Sequence, residues 1–280
     1  MTNASRRGAD PGLGYGGAAA RRTFTRFDGD SVASSEAVVA EEVPVAFVYG
    51  ARTHVVMMAS PIDLEDLAVG FTLTEGIVSS ADAIGVIDVV RHSRGIELHI
   101  AIPETDEARL VDRARVLAGR TGCGLCGVEA IDDAVRPATG VTSTLRVRRS
   151  ALYAAGASLA ARQPLNADTR AAHAAAWAPP DGSLSVVRED VGRHNALDKV
   201  IGALARAKVD PRVGFALVTS RASFELVQKV ATVGIPVLAA VSRPTGLAVR
   251  LAEGAGIALV GLLRGTSANV YAHPERILVG

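Results

Sequence analysis

Gly214-Phe215-Ala216-Leu217-Val218-Thr219, Pro236-Val237-Leu238-Ala239-Ala240-Val241 and Ile257-Ala258-Leu259-Val260-Gly261-Leu262-Leu263 are three short apolar runs separated by helical patterns at 224–232 and 247–253. Runs apolar on both faces belong to strands covered on both sides by helices. Upstream, Ser183–Arg188 and the helical pattern Arg193–Lys208 extend the same alternation. It predicts an α/β domain whose mostly parallel sheet is covered on both faces.

Open α/β sheets bind ligands outside the carboxyl ends of their strands. The first strand ends in Arg188-Glu189-Asp190-Val191-Gly192-Arg193-His194 and the second in Thr219-Ser220-Arg221. The third ends in Ser242-Arg243-Pro244-Thr245-Gly246 and the last in Arg264-Gly265-Thr266-Ser267. Every end carries an arginine, and three lead into a helix. Guanidinium forks, hydroxyls and free amide donors suit phosphate oxygens. For one end alone, capping plus a surface arginine is the simpler reading. Four together favour an anionic, phosphorylated ligand. His194 could carry a proton near neutral pH, or it could cap and orient the turn. Asp190 and Asp198 could hold its ring or bind the ligand, with a structural role ranked first for Asp198. His173 reads as one polar residue in a short alanine helix over Arg170–Trp177.

The amino-terminal part reads as a small α+β unit. Val43–Tyr49 and Val55–Ala59 form one hairpin, and Val86–His92 and Ile96–Ile102 another. Leu64–Thr74 between them has helical spacing and stops at Gly76. Residues 1–35 lack periodicity and are expected to be a disordered tail. Arg21-Arg22 starts no export signal, because Asp28-Gly29-Asp30-Ser31 stands where an apolar stretch would follow. The expected domains are therefore a tail at 1–35, a small α+β domain at 36–118, a mobile loop and linker at 119–147, and an α/β cofactor-binding domain at 148–280.

Composition narrows the classes. With 49% apolar residues the chain can bury a normal core, and a net charge of +1 gives no footprint for nucleic acid or an anionic membrane. No apolar run approaches the ~18–20 residues of a membrane span. Two cysteines in 280 residues do not make a disulfide-built secreted domain. The chain reads as cytoplasmic.

Both cysteines fall in Gly119-Arg120-Thr121-Gly122-Cys123-Gly124-Leu125-Cys126-Gly127, a C-x-x-C in a run of four glycines. Such a run packs poorly in a core and reads as an exposed loop at the end of a helix over Glu104–Leu117. Three chemistries compete for the pair. A zinc site wants four ligands, and with no second knuckle none is expected within one chain. Dithiol–disulfide exchange normally uses a C-x-x-C at a strand-to-helix junction. A persulfide carrier needs a nucleophilic thiolate on a loop that can visit a donor and then an acceptor.

Thr121-Gly122-Cys123-Gly124-Leu125-Cys126-Gly127, Glu189-Asp190-Val191-Gly192-Arg193-His194-Asn195-Ala196-Leu197-Asp198-Lys199 and Thr219-Ser220-Arg221 resemble signatures of the formate dehydrogenase accessory sulfurtransferases, the FdhD family. Met58–Phe71 and Asn269-Val270-Tyr271 match as well, so the resemblance runs from about residue 36 to the carboxyl terminus. It implies a sulfurtransferase that takes persulfide sulfur from a cysteine desulfurase. The sulfur passes to a molybdenum bis(molybdopterin guanine dinucleotide), bound as cargo, before that cofactor enters formate dehydrogenase. The resemblance puts the persulfide on Cys123, with Cys126 in support. It puts the cofactor-binding segment on Leu262, Leu263, Arg264, Gly265, Thr266 and Ser267, to which the strand-end reading adds Ser220, Arg221, Arg193, His194 and Asp198. It further implies a cytidine-deaminase-like three-layer αβα fold and a homodimer.

Two departures stand out. Thr169-Arg170-Ala171 replaces the Thr-Gly-Gly that usually precedes the histidine, and Leu262-Leu263 makes the cofactor segment less polar. Deaminase chemistry is not expected, since its zinc signature needs H-x-E and P-C-x-x-C, whereas Asn195-Ala196 follows His194 and Thr121-Gly122 precedes Cys123. Outside the sulfurtransferase reading stand a cofactor chaperone that needs no thiol and a thiol–disulfide oxidoreductase that needs no nucleotide.

Overall fold

In a computed structural model of the protein, the residues described are 16–110 and 140–279. The chain opens with an antiparallel hairpin of β1 (Ala19–Asp28) and β2 (Ser31–Ala40), paired from Ala19↔Ala40 to Asp28↔Ser31. This corrects the expected tail. Residues 19–35 are a paired, largely exposed ribbon, in which Thr23, Phe24, Thr25, Phe27 and Val32 supply strand preference despite weak periodicity.

Next comes a four-stranded sheet of order β4-β3-β6-β5, built from β3 (Val43–Tyr49), β4 (Arg52–Ala59), β5 (Ile87–His92) and β6 (Gly95–Ile100). Helix α1 (Leu64–Thr74) closes its apolar face, burying Leu67 and Phe71 against Val45, Phe47, Leu98 and Ile100. Residues 104–110 are helical, and the rest of the expected helix lies outside the described residues.

The larger domain follows. A short pair joins β7 (Val147–Arg148) to a late strand, and α2 (Arg149–Leu159) and α3 (Pro164–Thr169) come next. Then come β8 (His173–Ala178), β9 (Val186–Asp190), α4 (Arg193–Arg206), β10 (Phe215–Val218), α5 (Phe224–Thr232), β11 (Val237–Ala240), α6 (Gly246–Ala255), β12 (Ala258–Arg264), β13 (Ser267–Ala272) and β14 (Ile277–Leu278). β14 is the partner of β7. Six strands form one sheet of order β13-β12-β11-β10-β8-β9. One core packs α4, α5 and α6 on one face, through residues such as Leu197, Val227, Ala252, Val218 and Leu238. A second packs α2 on the other, where Leu152 and Ala155 meet Ala174, Ala176, Leu217 and Val237.

Two expectations fail here. The sheet is mixed rather than mostly parallel: β10–β11 and β11–β12 are parallel, while β8–β9, β8–β10 and β12–β13 are antiparallel. The expected alanine helix is instead the strand β8, although His173-Ala174-Ala175-Ala176-Trp177-Ala178 has the composition of a helix. Alanines 174, 176 and 178 face α2, while Ala175 and Trp177 face the other helix layer. Small side chains on both faces let the layers close on a central strand, so tertiary packing overrides local preference. Among the described residues no helix is long and apolar enough to cross a membrane.

The two domains join through α1 and α4. A Cβ on Gly70 would overlap the Asp198 carbonyl, and one on Gly202 would overlap that of Asp66, so the helices cross with backbones in contact. Asp66 accepts from Arg188 Nε at 2.8 Å and from Arg206 at 2.6 Å, tying α1 to β9 and α4.

Candidate functional site

β9 is antiparallel to β8 and β8 to β10, so β9, β10, β11 and β12 all run the same way. Their carboxyl ends share one edge of the sheet, where α4, α5 and α6 begin. β8 runs the other way and starts at this edge, which brings His173 there. A cavity of about 450 Å³ opens at the edge, with Gln163, Asn166, His173, Thr219, Leu263 and Arg264 among its lining residues. Beside it the β12–β13 register slips between Gly261 and Arg264, and Leu262 takes a left-handed φ of 54°. Its N–H donates to the Ser242 carbonyl at 3.1 Å. A non-glycine residue held this way costs about 1–3 kcal/mol, which the surrounding structure must impose. The irregularity falls where Leu263 and Arg264 meet the cavity.

The edge is rich in arginines without a direct carboxylate partner. Arg193, Arg221, Arg243 and Arg264 make no ion pair with any described residue, as is also true of Arg52, Arg91 and Arg149 elsewhere, while Arg22, Arg26, Arg109, Arg188, Arg206 and Arg212 are paired with carboxylates. Arg193 Nε is buried and has no acceptor among the described residues. A buried donor left unmade costs about 1–3 kcal/mol, so this guanidinium is set for an acceptor from outside them. His173 is held below its ordinary pKa, first by burial and then by Arg193 and His194, against an upward pull from Asp190. His194 Nε2 lies 3.2 Å from Glu225 Oε2 and 3.4 Å from Ser223 Oγ, bridging the first turns of α4 and α5. The hydrogen bond from His194 brings the Glu225 carboxyl down to about 2.

Other polar residues of the Glu189–Lys199 segment face inward. Asp190 and Lys199 form a fully buried ion pair at 2.7 Å. Asp190 also accepts from the Ser60 N–H at 3.0 Å, the Gly192 N–H at 2.7 Å and Asn195 Nδ2 at 3.1 Å. Glu189 caps α3, accepting from the Leu165 and Asn166 amides at 2.9 and 2.8 Å. Asp198 is not at the edge, which corrects its assignment to the ligand. It is buried against α1, accepting from Thr74 Oγ1 at 2.7 Å and Lys229 Nζ at 2.9 Å. Its placement follows helical geometry: four residues beyond His194 on α4, it lies a full turn below the edge.

Of the residues singled out in the sequence, Leu263, Arg264 and Gly265 line the cavity. Ser220, Arg221, Arg193 and His194 stand at the same strand-end edge, and Thr266 and Ser267 complete the β12–β13 turn. Cys123 and Cys126 lie outside the described residues. Gln163 and Asn166 carry no signal in the sequence, since they come from the loop and first turn of α3. His173 is undervalued there because β8 reads as a helix. A larger cavity of about 1070 Å³ opens at the opposite edge, where Gly76, Lys208 and Gly234 end α1, α4 and α5. Helix carbonyl ends repel anions, and the Arg212 there is paired with Asp210. The smaller cavity is the better anion site.

Known proteins resemble the chain along its whole length. It is 49% identical over 280 residues to the sulfur carrier protein FdhD of Xanthomonas axonopodis pv. citri, covering 100% of this chain and 98% of that one. It is 50% identical over 239 residues to the protein of that name from Bordetella petrii, covering 85% and 86%. A crystal structure of a candidate formate dehydrogenase accessory protein from Desulfotalea psychrophila superposes with a TM-score of 0.72 over 93% of this chain and 99% of the other, at 24% identity, which speaks for the fold alone. Residues 40–278 match the sequence profile of the FdhD/NarQ family. Profile and full-length relatives agree, and the chain belongs to the FdhD/NarQ family.

Proposed function

We propose that the protein is a cytoplasmic sulfur carrier in formate dehydrogenase maturation. It accepts sulfur on Cys123 from a cysteine desulfurase and delivers it to a molybdenum bis(molybdopterin guanine dinucleotide) held at the strand-end edge. The observation that carries the cargo half of this reading is a strand-end edge where Arg264 lines a 450 Å³ cavity and Arg193, elsewhere on the same edge, has a buried donor with no acceptor among the described residues. Phosphate oxygens are the acceptors that fork geometry suits best. The thiol half rests on the C-x-x-C and on the name borne by the relatives. The three-layer arrangement supports the deaminase-like fold that the resemblance implies, and a homodimer belongs to the same proposal.

The chemistry balances with two thiols. The Cys123 thiolate attacks the terminal sulfur of the donor's persulfide, forming a Cys123 persulfide and releasing the donor's thiolate. Attack by Cys126 on Cys123 Sγ then expels the terminal sulfur as sulfide, which binds the molybdenum of the cargo. The resulting Cys123–Cys126 disulfide is returned to dithiol by an external thiol reductant. Intact-protein mass after incubation with desulfurase and cysteine tests this. Wild type should gain ~32 Da that dithiothreitol removes, and Cys123→Ala should gain nothing. A wild type that gains no sulfur from an active desulfurase, or a Cys123→Ala protein that still supports formate dehydrogenase maturation, would point to a cofactor chaperone instead.

A further inference from the structure

We propose that Arg170 extends the strand-end site onto the end of α3 and sets its affinity for phosphate; the inference rests on the anion-binding reading above. Arg170 follows the last turn of α3 with φ 54° and ψ 23°, and its N–H closes the helix on the Asn166 carbonyl at 2.8 Å. This left-handed cap is a glycine position, since a Cβ there meets the backbone. Arginine offers the cap nothing that glycine lacks, and a helix of six residues has little dipole for a cation to complement.

Position supplies the reason for a charged side chain. Asn166, Ala172 and His173, on either side of Arg170, line one wall of the cavity, and Leu263, Arg264 and Gly265 line the other. Arg170 and Leu262 do not line the cavity themselves, but each stands within two residues of one that does, and they are two of the five non-glycine residues with positive φ among those described. Arg170 is exposed, and no described residue pairs with its guanidinium. Glu189, a nearby carboxylate, is already occupied by the Leu165 and Asn166 amides. A side chain reaching ~7 Å from such a rim can place two parallel N–H groups on a phosphate that projects from the cavity. The class of ligand is a nucleoside carrying a pyrophosphate rather than the bare nucleoside.

Arg170→Gly makes the test two-sided, because capping and binding predict opposite outcomes. Relief of the left-handed strain should raise Tm by about 2–4 °C. GDP should bind roughly tenfold more weakly, as expected for one lost charge-assisted hydrogen-bonded pair, while guanosine binding should not change. Arg170→Lys, which keeps both strain and charge, should fall between the two for GDP with no gain in Tm. GDP binding equal to wild type in Arg170→Gly would overturn the inference and leave the strand-end site standing. A parallel loss for guanosine would also overturn it, by showing that the residue shapes the cavity. A wild-type protein that does not bind GDP would bring down the anion-binding reading itself, and this inference with it.

Discussion

Lys199→Met should destabilise the protein by about 3–5 kcal/mol, because it strands a carboxylate in the core. Lys199 and Asp190 are both inaccessible to solvent and meet at 2.7 Å. Lys199 Nζ also donates to the Ser60 carbonyl at 3.1 Å and the Glu189 carbonyl at 3.3 Å. Methionine fills similar volume, so the cost is electrostatic. It leaves a buried carboxylate facing three neutral donors and takes one donor each from the Ser60 and Glu189 carbonyls, the former keeping the Ile62 N–H at 2.8 Å. The damage should reach the site, since the same cluster holds Ser60 against the turn that leads into Arg193 and His194. Ser60 Oγ accepts from the Val191 N–H at 3.1 Å, and Asn195 Nδ2 donates to the Met58 carbonyl at 2.9 Å. Urea unfolding would measure it, with a loss under about 1 kcal/mol contradicting the assignment. The double variant Asp190→Asn, Lys199→Met should recover part of the loss, because it removes the stranded charge.

The second large effect is on binding. Arg193→Ala should weaken GDP by about 100-fold while leaving stability within about 1 kcal/mol of wild type. Hydrogen bonds to charged groups contribute about 1.5–3 kcal/mol, and a fork that makes two such bonds sits at the top of that range. The unusual part is the small stability change. Arg193 Nε is buried without an acceptor among the described residues, so the free protein already bears the cost of that donor, and removing it relieves as much as it takes away. A paired arginine behaves otherwise. Arg206, bound to Asp66 at 2.6 Å and Glu65 at 2.6 Å, should lower stability when truncated and leave GDP affinity untouched. The contrast between Arg193→Ala and Arg206→Ala, read by calorimetric titration and thermal melting, separates a ligand-facing guanidinium from a structural one. Equal behaviour of the two variants would deny Arg193 its role.

Much of the strand-end edge is legible in the sequence, because its signal is local. Each of Arg193, Arg221, Arg243 and Arg264 stands within a few residues of an apolar run, and a strand followed by a helix fixes which edge that residue reaches. What is not legible depends on contacts far apart in the chain. Nothing in His173–Ala178 distinguishes a helix from a strand until the helix layers on both sides are known, so the sequence puts His173 in the wrong element and undervalues it. The antiparallel entry of β8 stays hidden for the same reason. Asp198 looks available for a ligand, and only its partners Thr74 and Lys229 remove it from the edge. The left-handed φ of Leu262 and Arg170 is equally invisible, since neither residue type announces it.

The most direct test of the anion site is calorimetric titration of the wild-type protein with GDP and with guanosine, each at low and at raised salt. The unpaired arginines predict that GDP binds far more tightly than guanosine and that only GDP weakens as salt screens the charges. Equal affinity for the two, or a GDP affinity indifferent to salt, would contradict an anion site at the strand ends.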